Sequence, residues 1–208
     1  MIDDPEQLDP HYDFEHDILK NVRGFVTRSA LIRFERMRTA ASLTRLAMHP
    51  VRGTFNRDHL QEIHRRIFVD VFPWAGEFRH VNMSRHHSHP FATVQGMERK
   101  LEDCLAKLAA ENYLRGLDAD DFSARAGHFL GALNSVHPFR DGNGRAQREF
   151  LRQLAEEAGH PLNWNRISRK QMYRASDDNH NLALMAGMVE VVWSAIEHAP
   201  VRQLVVGD

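Results

Sequence analysis

The 208 residues, 42% hydrophobic and 26% charged, are enough for one sizeable core and point to a single domain with short appendages. A formal net charge of -1 leaves no broad basic field, which counts against nucleic acid or anionic lipid as the main partner. One cysteine, Cys104, excludes an intrachain disulfide, and no apolar run approaches the roughly 20 residues of a membrane helix.

The start, Met1-Ile2-Asp3-Asp4-Pro5, is acidic and unlike a secretory signal, so a cytoplasmic protein with no direct nucleic-acid or membrane partner is expected. Residues 1–16 read as an extended lead-in. Helical spacing of Leu31, Phe34, Met37, Ala41 and Leu46 predicts a helix over 27–48, broken by His49-Pro50. A second helix is expected over 57–71, with Leu60, Ile63, His64, Ile67 and Phe68 along one face. Pro73-Trp74-Ala75-Gly76 reads as a turn, and residues 78–91 as a small exposed hairpin, the one sheet element expected.

Helices resume over 93–113, where Cys104 shares an apolar stripe with Met97, Leu101, Leu105 and Leu108 and reads as core filler. The next opens at Asp118, a capping carboxylate, and turns Phe122, Ala126, Phe129, Leu130 and Leu133 inward. After residue 145 a further stripe, Ala146, Phe150, Leu151, Leu154 and Ala155, ends at Gly159 and Pro161. Two last helices are expected over 168–176 and 182–198. The expected fold is an all-α bundle with one small β-hairpin.

The chemistry concentrates in His137-Pro138-Phe139-Arg140-Asp141-Gly142-Asn143-Gly144-Arg145-Ala146-Gln147-Arg148. Gly142-Asn143-Gly144 readily takes positive dihedrals and can turn its amides toward one point as an anion nest. The helix that follows adds free amides and the positive end of its dipole. Arg145 and Arg148, three residues apart, share one face. Together these describe a polyphosphate site. Asp141 supplies a hard oxygen for Mg2+, and a neutral imidazole at His137 can take a proton from a hydroxyl. Alone, a Gly-Asn-Gly turn or a histidine beside a helix is usually structural. Eight specified positions would coincide by chance about once in 10^8 chains, so the functional reading prevails.

These residues match the Fic-family motif His-x-Phe-x-Asp/Glu-Gly-Asn-Gly-Arg-x-x-Arg at every specified position. Pro73 to Arg79, the hairpin after it, and Leu133-Asn134-Ser135-Val136 also resemble Fic proteins, over about residues 55–195. The resemblance implies a Fic-type helical bundle at 55–195, preceded by a packed lead-in and helix at 1–54 and followed by a tail at 196–208. It also implies transfer of AMP from ATP to a Ser, Thr or Tyr hydroxyl. His137 would be the base and Asp141 the Mg2+ ligand. Gly142, Asn143 and Gly144 would hold the α- and β-phosphates with Arg145, and Arg148 would grip the γ-phosphate. A flap around Arg79, Ser88, His89, Pro90 and Phe91 would dock an extended target segment by strand addition. Relatives that phosphorylate carry lysine where this chain has Gly144, so its glycine favours AMP transfer.

The family's inhibitory pattern, Ser/Thr-x-x-x-Glu-Gly/Asn, matches no segment here. That absence, with the Asp-Pro-rich lead-in, resembles the antitoxin-regulated class. It implies a bacterial toxin restrained by a small antitoxin whose glutamate reaches Arg148, with DNA gyrase or topoisomerase IV as the kind of target. Three rivals stand beside this reading, the weakest a catalytically silent binding module, which would need a damaged motif where this one is intact. A Fic enzyme could instead transfer UMP or phosphocholine, since the motif reads phosphates and not the base. A histidine-built metal protein is less well supported, because His80, His86, His87 and His89 fit no structural zinc spacing. Asn179 and Asn181 are candidates for the adenine pocket.

Overall fold

The computed structural model describes residues 9–84 and 89–197. Among them are seven α-helices: α1 Arg28–Met48, α2 Arg57–Phe68, α3 Val94–Ala110, α4 Ala119–Val136, α5 Asn143–Ala158, α6 Arg169–Leu182 and α7 Ala186–Ala195. Polar side chains set several of their starts. Asn56 accepts from the His59 amide at 3.0 Å and Asp118 from the Asp121 amide at 2.9 Å, each satisfying an otherwise orphaned first-turn donor. Ser168 and Gln171 form a reciprocal capping box at α6.

α4 is the central helix, packed against α7, α5, α3 and α6. Its inward residues are those the periodicity predicts, with Phe122, Ala126 and Leu133 fully buried. Leu60, Ile63 and Ile67 of α2 and Phe150, Leu151 and Leu154 of α5 are sealed from solvent in the same core. Burying each such side chain contributes roughly 1.5–3 kcal/mol. Cys104 is buried on α3, and burial pushes its thiol up to about 12, as suits core filler.

The α4–α7 crossing is close because Gly127 has no side chain. A Cβ there would lie 2.7 Å from the Val189 Cα. Gly127→Ala is therefore expected to overpack the crossing and lower stability by about 1–3 kcal/mol. Urea unfolding would measure this, and an unchanged midpoint would mean that α7 can shift without cost.

Two expectations need correction. The predicted helix 168–176 runs on to Leu182, because the polar run Asp177 to Asn181 carries no apolar period although its Asn179 is buried. α7 then starts only at Ala186, after Ala183 turns left-handed at a φ of 54°. The sheet is also elsewhere than expected. Strands β1 Tyr12–Asp13 and β2 Ile18–Leu19 pair antiparallel within the lead-in, Tyr12 opposite Leu19. The Asp13 carboxylate accepts from the amides of Glu15 and His16 and shapes the turn between them. Over 78–91 only an isolated bridge, Ser84 to Pro90, and a Phe91 amide bond to the Met83 carbonyl are formed among the described residues.

Candidate active site

The motif begins where α4 ends. His137 takes a left-handed conformation (φ 51°) while its amide still bonds the Leu133 carbonyl, so the chain turns sharply off the helix. Its Nδ1 lies 3.3 Å from the Asn134 carbonyl oxygen. A carbonyl can only accept, so Nδ1 carries the proton and Nε2 is the basic nitrogen of the neutral ring. Phe91 stacks on the imidazole at 3.8 Å with planes 12° apart, which fixes its orientation.

The backbone behind this imidazole is held by Arg79. Its guanidinium donates to the carbonyls of His137 (2.8 Å), Val81 (2.8 Å), Val136 (3.3 Å) and Ala92, and its amide donates to Pro138 at 2.9 Å. The side chain is 1% exposed, and burial lowers its pKa to about 10, which leaves it charged at neutral pH. Arg79 is therefore a brace beneath the loop and not a docking residue of a flap. Phe91 is likewise buried, its ring occupied by His137. His89 and Pro90 are exposed, the His89 carbonyl accepting from His180 at 2.7 Å. Ser88 lies outside the described residues, as do His86 and His87.

Phe139 anchors the loop in the core, stacked on His64 at 3.9 Å. The Asn143 side chain closes the loop on it, accepting from the Phe139 amide at 2.9 Å and donating to the Phe139 carbonyl at 2.7 Å. Asn143 is 2% exposed, and through these two bonds its side chain shapes the loop. The expected run of positive dihedrals is also shorter than predicted. Only Gly142 is left-handed, at 80°, while Asn143 and Gly144 already belong to α5. The anion-binding element is thus a helix N-terminus with one turning glycine before it. No larger residue fits at Gly142, since a Cβ would lie 2.3 Å from the Phe68 ring.

His64, read from sequence only as an inward residue of α2, spans this region. Its Nδ1 accepts from the Gly76 amide at 2.9 Å and its Nε2 donates to the Asp141 carbonyl at 3.0 Å. Complete burial pushes its pKa down to about 3, so it is neutral. Asp141 is left with its carboxylate partly exposed, 3.6 Å from Arg145.

The two arginines have different surroundings. Arg145 pairs with Glu35 of α1, lies 3.4 Å from Thr39 Oγ1 and stacks over Phe68. Burial raises the Glu35 carboxyl above its usual value against the pull of Arg145. Arg148 has no carboxylate within 4.0 Å among the described residues, and burial with the like charge of Arg145 lowers its pKa. Sequence reading missed Glu35, although it is the one acidic residue in an α1 that carries five arginines. A second missed pair joins Arg140 to the buried Asp9 of the lead-in.

His137, Asp141, Gly142, Asn143, Gly144, Arg145 and Arg148 line one cleft of about 890 Å³, walled by Glu35, Trp164, Met172 and Tyr173. Asn179 and Asn181 are not part of its lining; Asn179 instead abuts Gly131 and Met185 in the packing around α4.

A family model described as Fic/DOC family matches residues 54–155. The Escherichia coli (strain K12) protein named "Probable protein adenylyltransferase Fic" is 33% identical over 172 residues, 82% of this chain and 84% of that protein. The chain belongs to the Fic/DOC family. A second relative, protein adenylyltransferase VbhT of Bartonella schoenbuchensis, is 39% identical over 183 residues. The chain aligns over 87% of its own length with VbhT but spans only 38% of that protein. Among solved structures, the N-terminal Fic domain of a Bartonella quintana effector with bound ADP superposes with a TM-score of 0.85 at 27% identity, covering 90% of this chain and 94% of that one. The all-helical Fic fold expected from sequence is thereby established.

Proposed function

We propose that this Fic/DOC chain moves AMP from ATP to a Ser, Thr or Tyr hydroxyl of a target protein. The observation that carries the reading is the convergence on one cleft of a basic imidazole, a helix N-terminus, two guanidinium groups and a partly exposed carboxylate. His137 Nε2 takes the hydroxyl proton as the oxygen attacks the α-phosphorus. The new P–O bond forms as the bond to the bridging oxygen breaks, and pyrophosphate leaves. The Asn143 and Gly144 amides that open α5 would face the α- and β-phosphates with Arg145, while the Gly142 amide donates to the Asp141 carboxylate, and Arg148 would face the γ-phosphate. Asp141, a hard oxygen donor open to the cleft, suits Mg2+, which would offset the polyphosphate charge. The names of the relatives and the ADP bound in a structural neighbour support this assignment.

Arg148, without a carboxylate among the described residues, supports regulation in trans. A small antitoxin would place a glutamate against it and displace the γ-phosphate, making the chain a toxin of the cytoplasm. DNA gyrase and topoisomerase IV are the targets to try first. No helix among the described residues is long and apolar enough to cross a membrane.

The experiment is label transfer. Protein incubated with candidate targets should acquire label from the α-phosphate of ATP and not from UTP or CDP-choline. Label arriving from the γ-phosphate would overturn AMP transfer. Harmless expression of the chain alone would overturn the toxin role while leaving the chemistry standing.

A further inference from the structure

Away from the cleft, His11, Glu77 and His80 bring one ligand atom each to within 4.8 Å of one another. His11 comes from the lead-in, just before β1; Glu77 and His80 flank Arg79 in the segment after the Pro73–Gly76 turn. One ring nitrogen of His11 is not spent elsewhere. The residue is 6% exposed, yet its Nε2 has no hydrogen-bond partner, and the ring sits 4.9 Å from Trp74 and 5.5 Å from His80 between centroids. A buried ring nitrogen with no partner forfeits its solvation and calls for an explanation.

We propose that His11, Glu77 and His80 bind a divalent transition ion of the zinc type, clamping the lead-in to the segment that braces the catalytic loop. Two imidazoles and one carboxylate form a borderline donor set that suits such an ion and not Mg2+, which prefers oxygen throughout. Tetrahedral bonds of about 2.0 Å place ligand atoms on the order of 3.3 Å apart. Glu77 and His80 are exposed and can rotate inward by that margin, while His11 is fixed by packing. Three protein ligands leave a fourth position for water.

A second group, Asp13, Glu15 and His16, lacks this signature. Its residues are partly or fully exposed, and His16 Nδ1 is already 2.9 Å from Asp13. The first group, by contrast, sits between two contacts to the motif. Asp9 pairs with Arg140, and Arg79 holds the His137 carbonyl. An ion there would fasten both to each other.

The test uses the whole chain, freed of metal by a chelator and titrated with Zn2+ by calorimetry, with Tm followed in parallel. One ion per chain and a rise in Tm are expected from Zn2+, and no rise from Mg2+ at the same concentration. H80A, an exposed substitution that leaves the core intact, should weaken Zn2+ binding at least tenfold and remove the Tm rise, and E77Q should weaken it too. H86A/H87A/H89A should bind as the unchanged protein does. Absence of Zn2+ binding, or binding that survives H80A and disappears in the triple variant, would overturn the proposal. None of these readouts depends on nucleotide transfer, so failure of the site and failure of the AMP-transfer reading remain distinguishable.

Discussion

His137→Ala should reduce label transfer by roughly 10²–10⁴-fold, the contribution typical of a positioned general base, while nucleotide binding stays nearly unchanged. The two effects separate because different atoms produce them. Proton acceptance rests on Nε2, whose basicity follows from the Nδ1 contact to Asn134. Phosphate binding would rest on the start of α5 and on Arg145 and Arg148, none of which leans on the imidazole. The backbone should also survive, because Arg79 grips the His137 carbonyl and not its ring. Folding by circular dichroism and nucleotide affinity by calorimetry should therefore match the unchanged protein. A variant that transfers AMP at the normal rate would remove His137 from the base role.

A second large effect is expected at His64, which touches no proposed substrate group. His64→Leu keeps the volume but leaves the part-buried Gly76 amide and Asp141 carbonyl without this partner. Each orphaned group costs about 1–3 kcal/mol, and the stacking on Phe139 is lost in addition. Activity should fall with stability, since Asp141 loses the bond that sets its backbone. The same residue gives a pH signature. The unfolded histidine takes up a proton near its ordinary value of 6.5, whereas the folded one resists until about 3. The unfolded state thus binds more protons in that window, and stability declines as pH falls. The contribution is complete above 6.5 and erodes by about 1.4 kcal/mol per pH unit on the way toward 3. Burial shifts His11 and His59 in the same direction. Urea midpoints measured from pH 7 to pH 4 should drop steeply in the unchanged protein and less so in His64→Leu. Equal slopes would contradict the buried neutral state.

The helices were legible because apolar residues repeat along them, and the motif because its residues are contiguous. What escaped was whatever depended on distant partners. Phe78 to Asn82 alternate like a strand, but the Arg79 amide bonds the Pro138 carbonyl, so this stretch serves as a brace, and pairing among the described residues is left to the Ser84–Pro90 bridge beyond it. Glu35 meets Arg145 across 110 residues and Asp9 meets Arg140 across 131, separations that leave no periodic trace. The closure of Asn143 on Phe139 spans only four residues, but it lies in a loop without any period to reveal it.

The Arg79 brace has a consequence for engineering and inheritance. The twelve residues from His137 to Arg148 are not a portable cassette. Transplanted onto another helix pair, they would arrive without the guanidinium that gathers the carbonyls of Val81, Ala92, Val136 and His137 into one cage. Any minimal catalytic fragment must therefore begin upstream of residue 79. Chains that lose this arginine should be scored as suspect enzymes even where the motif itself reads perfectly.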